Sequence, residues 1–302
     1  MPDIKTIGFI GVGNMGRPMA ANLVKGGYQV VLYDLDAKRA QHAAAAIGAK
    51  AAATLDDLGK QADAVITMLP TDKEVRACLF EAERGALANN LPKGALVIDM
   101  SSSDPVGSRA THADLAKRGL AFVDAPVSGG VPRATDGTLA IMIGGDVAAI
   151  AAAKPVLSRM GTRLLEVGGP GNGHAMKALN NFVAGTAFIA VSEALLVGGK
   201  FGLDPATMVD VMNASSGKSF NTEHVAKQHV VSRQFASGFS LGLLTKDVGI
   251  AAELAKQIGL DSPLIGASSA LLFEARDKVG AEKDHTFAYT YWEGRDKKAA
   301  AE

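Results

Sequence analysis

A single cysteine, Cys78, excludes a disulfide within this 302-residue chain, and it lacks the companions a zinc site needs. It reads as a helix or core residue, and a reducing compartment, the cytoplasm, is expected. The six histidines include no pair at metal-ligand helical spacing with a third partner, so no metal is expected. Charge of one sign is also missing. Lys plus Arg and Asp plus Glu stand at 31 each, leaving no net charge to draw the protein to nucleic acid or an anionic membrane. Met1-Pro2-Asp3 shows neither a basic n-region nor a cleavage pattern, so no targeting segment is expected. The longest apolar run is interrupted by Glu193 and reads as too short to span a bilayer. No internal repeat is visible, and the closing RDKKAAAE has so little to bury that a frayed end is expected. These absences leave a chain long enough for two domains, 48% apolar, whose expected partner is a small molecule.

The chain is organised around the stretch from Gly171 to Gly202. Gly-Asn-Gly opens it, Gly202 closes it, and no proline interrupts the apolar residues between, which predicts one long helix. Being apolar nearly all round, it is expected to be buried on most faces. Lys177 and Asn181 lie four residues apart and share one helical face. A lysine and an amide facing a common point in such a helix suggest chemistry where the two halves of the chain meet. A lysine in a long helix is more often a solvated or snorkelling side chain, and both readings stand at this point.

The first half has the pattern of a nucleotide-binding domain. A strand at Thr6–Ile10 runs into Gly11-Val12-Gly13-Asn14-Met15-Gly16 and a helical pattern through Lys25. A second strand, Gln29 to Tyr33, ends at Asp34. This strand–GxGxxG–helix–strand–acid order is that of a dinucleotide site. Gly11 permits the tight turn, Gly13 lets backbone approach the pyrophosphate, and Gly16 lets helix and strand pack closely. The diphosphate then rests on the helix N-terminus, where unpaired N–H groups and the dipole favour an anion. Asp34 is placed to accept from the adenosine ribose and to repel a 2′-phosphate, which favours NAD, with NADP possible. Lys38 and Arg39 just beyond either soften that discrimination or form a solvated helix face.

Further strands follow at α/β spacing: Ala64 to Met68, Leu96 to Asp99, Ala121 to Asp124, Thr138 to Gly144 and Arg163 to Glu166, with a helix from Val147 to Arg159. In a parallel sheet, the loops holding Leu69-Pro70-Thr71 and Ser101-Ser102-Ser103 fall at the carboxyl edge, beside the cofactor. The serines either contact the nicotinamide half, Ser102 among them, or merely cap the helix starting near Pro105. Ser128-Gly129-Gly130 can point amides and a hydroxyl at a carboxylate, or be only a glycine-rich turn.

These stretches together resemble the β-hydroxyacid dehydrogenase family over essentially the full length. The cofactor signature is GFIGVGNMGRPMAANL from Gly8, the substrate-binding signature DAPVSGG from Asp124, and the catalytic signature GNGHAMKALNN with Lys177 and Asn181. A fourth match, FSLGLLTKD from Phe239 to Asp247, places Lys246 on the family's lysine beside the cofactor. The resemblance implies a Rossmann-like α/β domain with a mostly parallel sheet, residues 1–166. It also implies an all-α domain, 167–302, that begins with the long interdomain helix 171–202, and assembly as homodimers or homotetramers. The implied reaction is reversible NAD(P)-dependent oxidation of a 3-hydroxy acid to its semialdehyde. Two positions depart from the pattern: Glu74 replaces a polar amide, and His174 stands where glutamine is usual.

On this reading Lys177 is general base in oxidation and general acid in reduction, its ammonium form disfavoured by burial and by Lys246 nearby. Asn181 holds the substrate and Lys177 in register. Ser128, Gly129 and Gly130 take the carboxylate, and Lys246 helps close the nicotinamide pocket. His174, His224, His229 and His285 read as surface or core residues, and Asp247 as a local cap or partner near Lys246. The second half otherwise reads as helices over 205–214, 241–258 and 263–279. Ser219-Phe220-Asn221, Phe239 and the 285–292 stretch line the substrate pocket or belong to core or interface. Imine reductases share the architecture but typically lose the lysine, and 6-phosphogluconate dehydrogenase has a longer helical portion. A non-catalytic nucleotide-binding scaffold usually adds modules or a basic tail, which this chain lacks.

Overall fold

The computed structural model describes residues 4–81, 83 and 86–299. The chain divides into two compact units, Met1–Lys177 and Ala178–Glu302. Among the described residues the first contains nine strands: β1 (Thr6–Ile10), β2 (Gln29–Tyr33), β3 (Lys50–Ala51), β4 (Ala64–Thr67), β5 (Leu96–Asp99), β6 (Ala121–Asp124), β7 (Val127–Ser128), β8 (Leu139–Gly145) and β9 (Gly161–Gly168). Its helices are α1 (Gly16–Lys25), α2 (Ala37–Ile47), α3 (Leu55–Gly59), α4 (Asp72–Phe80), α5 (Pro105–Ala116), α6 (Gly130–Asp136) and α7 (Val147–Leu157). The strands form one sheet in the order β3-β2-β1-β4-β5-β6-β8-β7, with β9 on β8. β1 to β6 are parallel, as is β9 on β8, whereas β8 runs antiparallel to β6 and β7. The mostly parallel Rossmann-like sheet is therefore present.

The strands form because their apolar residues serve two faces in alternation. Ile7, Phe9, Ala64, Ile66, Leu96 and Ile98 enter one core with residues of α1, α2 and α7. Ile10, Val65 and Val97 enter the other, with α3, α4 and α5. Cys78 is buried in this second core. Strand order reverses between β1 and β4, so the connections leaving their carboxyl ends run in opposite directions, the place where such sheets bind ligands. Tyr33, Ile10, Thr67, Asp99 and Asp124 lie in one register row across the five strand ends.

α8 (Asn172–Phe201) begins in the first unit and continues into the second. After it come α9 (Pro205–Asn213), a π-helical stretch Thr222–Val231, α10 (Leu241–Gln257), α11 (Pro263–Val279) and α12 (Ala288–Ala299). Helix α8 departs from expectation in two ways. At 30 residues it is long and apolar enough, by length and composition alone, to cross a membrane, a test that the core helix of a soluble protein also passes. Only 39% of its most apolar stretch is buried, and along the helix Val183, Val197 and Phe201 turn outward. The backbone of the closing residues, expected to fray, is helical through Ala299. Residues 300–302 lie outside those described.

The core of the second unit gathers Phe188, Leu195, Val209, Leu244, Leu272 and Trp292. The stretch from His285 to Trp292 belongs to it: His285, Tyr289 and Trp292 are each under 9% exposed. Asp284 accepts from Ser237 Oγ, Gly238 N, Thr286 N and Thr286 Oγ1, tying two loops together. Burial alone would raise its carboxyl, but the Thr286 bonds, the His285 charge and Ser237 hold it below the usual carboxylate range. Burial pushes the His285 imidazole down, against the opposing pull of Asp284. Phe220 is exposed, and Asn221 Nδ2 donates to Ala184 O at 2.8 Å, a partly buried contact with α8.

Candidate active site

The glycines after β1 behave as a dinucleotide loop requires. Gly11 has φ +93°, and a Cβ there would collide with Met68 O. A Cβ on Gly16 would strike Gly11 O and the Phe9 ring, so α1 meets β1 only through glycine. At Gly13 an added Cβ meets nothing within 4 Å, which leaves space for a diphosphate over the amides of 13–15. Asn14 is exposed and Met15 half-buried, and no acidic side chain stands in the first turn of α1 to compete with an anion. Asp34 Oδ2 accepts from Val12 N at 3.0 Å and Oδ1 from Asp36 N at 3.0 Å. Arg39 leans back on Asp34 at 3.3 Å and on Asp36 at 3.6 Å. These residues fit an adenine dinucleotide.

The other loops at the same edge divide into supports and exposed positions. Ser101 Oγ accepts from Leu69 N at 2.9 Å, and Ser103 Oγ donates to Asp99 Oδ2 at 2.8 Å. Asp104, not a serine, caps α5 by accepting from Gly107 N at 2.7 Å. The capping alternative for the serines therefore fails: Ser101 and Ser103 are committed to the loop itself, and Ser102 is half-buried between them. Leu69 is half-buried and Pro70 exposed. Glu74, a departure from the family pattern, accepts from the hydroxyl of Thr71, whose oxygen caps α4 by accepting from Lys73 N.

Ser128 ends the short β7, paired with Ala140, and Gly129 and Gly130 follow with φ of +137° and +65°. Only glycine takes two such conformations in succession at little cost. Asp124, first residue of the same signature, is fully buried and accepts from the amides of Gly171 (2.8 Å) and His174 (2.9 Å). It thus caps α8 from β6, satisfying N-terminal amides that have no partner within the helix. Gly173 lies so close that an added Cβ would be 2.6 Å from Asp124 O and Met142 O. Lys177 follows one turn later, 8% exposed.

In the second unit Asn181, 7% exposed, donates from Nδ2 to Asp247 Oδ2 at 2.6 Å. Asp247 Oδ1 stands 3.9 Å from Lys246 Nζ. Asp247 therefore does more than pair locally: it sets the amide orientation of Asn181, whose side-chain oxygen accepts from Asn180 Nδ2 at 3.1 Å and whose second Nδ2 hydrogen is the donor left over. Sequence reading missed this role and those of Asp99 and Asp124. The available signal was a carboxylate at the last position of two successive parallel strands. No group of three or more potential metal ligands occurs among the described residues.

An α/β unit with a dinucleotide loop and a buried lysine at its last residue, followed in the chain by a helical unit, is the organisation of an NAD-binding oxidoreductase. Residues 6–169 match the family model described as the NAD binding domain of 6-phosphogluconate dehydrogenase. Residues 171–292 match the one described as NAD-binding of NADP-dependent 3-hydroxyisobutyrate dehydrogenase. An NAD-dependent L-serine dehydrogenase of Pseudomonas aeruginosa is 37% identical, over 93% of this chain and 95% of that protein. A 3-hydroxyisobutyrate dehydrogenase of the same organism is 38% identical, over 92% and 94%. The solved structure of Mycobacterium tuberculosis 3-hydroxyisobutyrate dehydrogenase with L-serine superposes with TM-score 0.88 at 33% identity, covering 96% of this chain and 99% of that one. The chain belongs to the β-hydroxyacid dehydrogenase family, and it is an NAD(P)-dependent oxidoreductase acting on CH–OH groups.

Proposed function

We propose that the protein interconverts a short 3-hydroxy acid and its semialdehyde, with Lys177 moving the proton on the substrate oxygen. The observation that carries this is a lysine only 8% exposed, one turn into a helix whose start is fixed to the carboxyl edge of the sheet. The nicotinamide supplies the hydride acceptor or donor; the remaining work falls to the chain. In oxidation the Lys177 amine takes the hydroxyl proton, and in reduction its ammonium returns one to the carbonyl oxygen. Asn181, oriented by Asp247, holds the substrate oxygen, Ser128 with the amides of Gly129 and Gly130 takes the carboxylate, and Lys246 helps enclose the site.

Serine and 3-hydroxyisobutyrate, named for two relatives, share a primary hydroxyl on the carbon attached to C2, and differ at C2 in ammonium against methyl. The test follows nicotinamide absorbance with NAD over 3-hydroxyisobutyrate, L-serine, 3-hydroxypropionate and glycerate. At least one is expected to turn over, in a manner dependent on its carboxylate. Silence across the panel while NAD binds would overturn the substrate class. The same reading puts the enzyme in the cytoplasm, with no nucleic-acid or membrane partner.

Self-association belongs to this reading too. Val183, Val197 and Phe201, exposed by 64%, 70% and 84%, continue into Leu203 at 51%. An apolar stripe of this kind is characteristic of a surface that another chain covers. A homodimer or homotetramer is expected in sedimentation. Val197→Asp with Phe201→Asp should yield monomer, and an unchanged sedimentation coefficient would rule this face out.

A further inference from the structure

We infer that His174 is a positioning residue for Lys177: a buried three-point anchor that fixes where the first turn of α8, and so the lysine, stands. The inference rests on the proposed role of Lys177. The His174 side chain is fully enclosed, and the protein contacts it from three elements. Its backbone amide donates to Asp124 Oδ2 after β6. Ring Nε2 lies 3.1 Å from Ser101 O after β5, and ring Nδ1 lies 2.7 Å from Ser108 Oγ on α5. A carbonyl oxygen only accepts, so Nε2 carries a hydrogen; at Nδ1 the one Ser108 hydroxyl hydrogen is shared between the ring and Asp104 O, 2.9 Å away. Two buried carboxylates face the ring, Asp99 Oδ2 at 3.7 Å from Nε2 and Asp124 Oδ2 at 3.9 Å from Nδ1.

Each partner is itself held. Asp99 accepts from Thr67 Oγ1 (2.9 Å), Ser101 N (3.0 Å) and Ser103 Oγ (2.8 Å), and Asp124 accepts from Gly171 N. Ser108 Oγ also lies 2.9 Å from Asp104 O within α5. The residue is therefore bound through its ring to the end of β5 and to α5, and through its backbone amide to the end of β6. Lys177 follows three residues later, about 4.5 Å along the helix axis and on the adjoining face. A helix start free to shift by about 1 Å would cost on the order of 100-fold in rate through misplacement alone. The sequence pattern offers a check, because the glutamine usual at this position also carries a donor that can reach a carbonyl oxygen and a second polar atom that can meet a hydroxyl.

The test compares His174→Leu, which keeps bulk and loses both ring contacts, with His174→Gln, which keeps a donor and an acceptor. We expect His174→Leu to lower kcat about 100-fold with the NAD Kd within about threefold of wild type. His174→Gln should recover kcat to within about tenfold. Carbamylation of Lys177 by cyanate, read by peptide mass, should change rate in His174→Leu and return toward wild type in His174→Gln. Should His174→Leu not fold, Ser108→Ala serves, with an expected fall in kcat of about tenfold at unchanged NAD affinity. The inference is overturned if the folded Leu variant, or Ser108→Ala in its place, keeps kcat within about threefold. It is equally overturned if Gln and Leu lose turnover and NAD binding alike, which is general damage. Lys177→Ala, run alongside, separates the two claims: turnover surviving there sinks the lysine's role whatever residue 174 does.

Discussion

Lys177→Ala is expected to lower kcat by about 10³-fold while NAD affinity changes by no more than about threefold. General acid–base groups contribute about 10² to 10⁴ in rate, and among the proposed site residues no second proton carrier is assigned to replace this one. The residue is 8% exposed on α8, whereas the dinucleotide loop is formed by residues 11–16, so truncating the lysine leaves that loop intact. Stopped-flow hydride transfer and NAD titration by fluorescence give the two quantities separately. Turnover within about tenfold of wild type would remove Lys177 from the chemistry. A large loss of NAD affinity would instead place the lysine in cofactor binding. Lys177→Met, which keeps the stem and removes the charge, should behave as alanine does, because the stem packs but transfers no proton.

Asp34→Asn is expected to raise the ratio of NADP to NAD in kcat/KM by about 100-fold. Two unit charges about 4 Å apart interact with about 4 kcal/mol at an effective dielectric of 20, and solvent at the open crevice reduces this. A hundredfold change requires about 2.7 kcal/mol, which lies within that bound. Asparagine keeps an oxygen for Val12 N, so the contact with the turn after β1 should survive, while Asp36 N loses its acceptor. The substitution also frees Arg39 from its 3.3 Å pairing with Asp34, although its 3.6 Å pairing with Asp36 remains. Arginine is the side chain best suited to a 2′-phosphate. Steady-state kinetics with both cofactors decide the matter: a ratio moved less than about threefold would mean that Asp34 does not select. Adding Asp36→Asn should widen the change if Arg39 is the group released.

Much of this protein was legible from its sequence by itself, for a local physical reason. Gly11, Gly13 and Gly16 are dictated by backbone geometry within six residues, and the alternation in Thr6–Ile10 and Leu96–Asp99 is dictated by two faces to be buried. Helix α8, the strand ends and the spacing of Lys177 and Asn181 follow from periodicity in the same way. The tertiary structure decided what depends on partners distant along the chain. Sequence placed Ser101 and Ser103 as either cofactor contacts or caps; only the fold shows them spent on Leu69 and Asp99. It read α8 as buried on most faces, since composition counts apolar residues and does not reveal which of them find neighbours. It read Asp247 as local, because no spacing rule links it to an amide 66 positions away. His174 shows the division clearly. One histidine among six has no pattern of its own, and its meaning comes from β5, β6 and α5 converging on it, with partners 50 to 73 residues distant. The dinucleotide loop is therefore fixed by short-range sterics, and the proposed setting of the lysine by long-range hydrogen bonds between elements that only folding brings together.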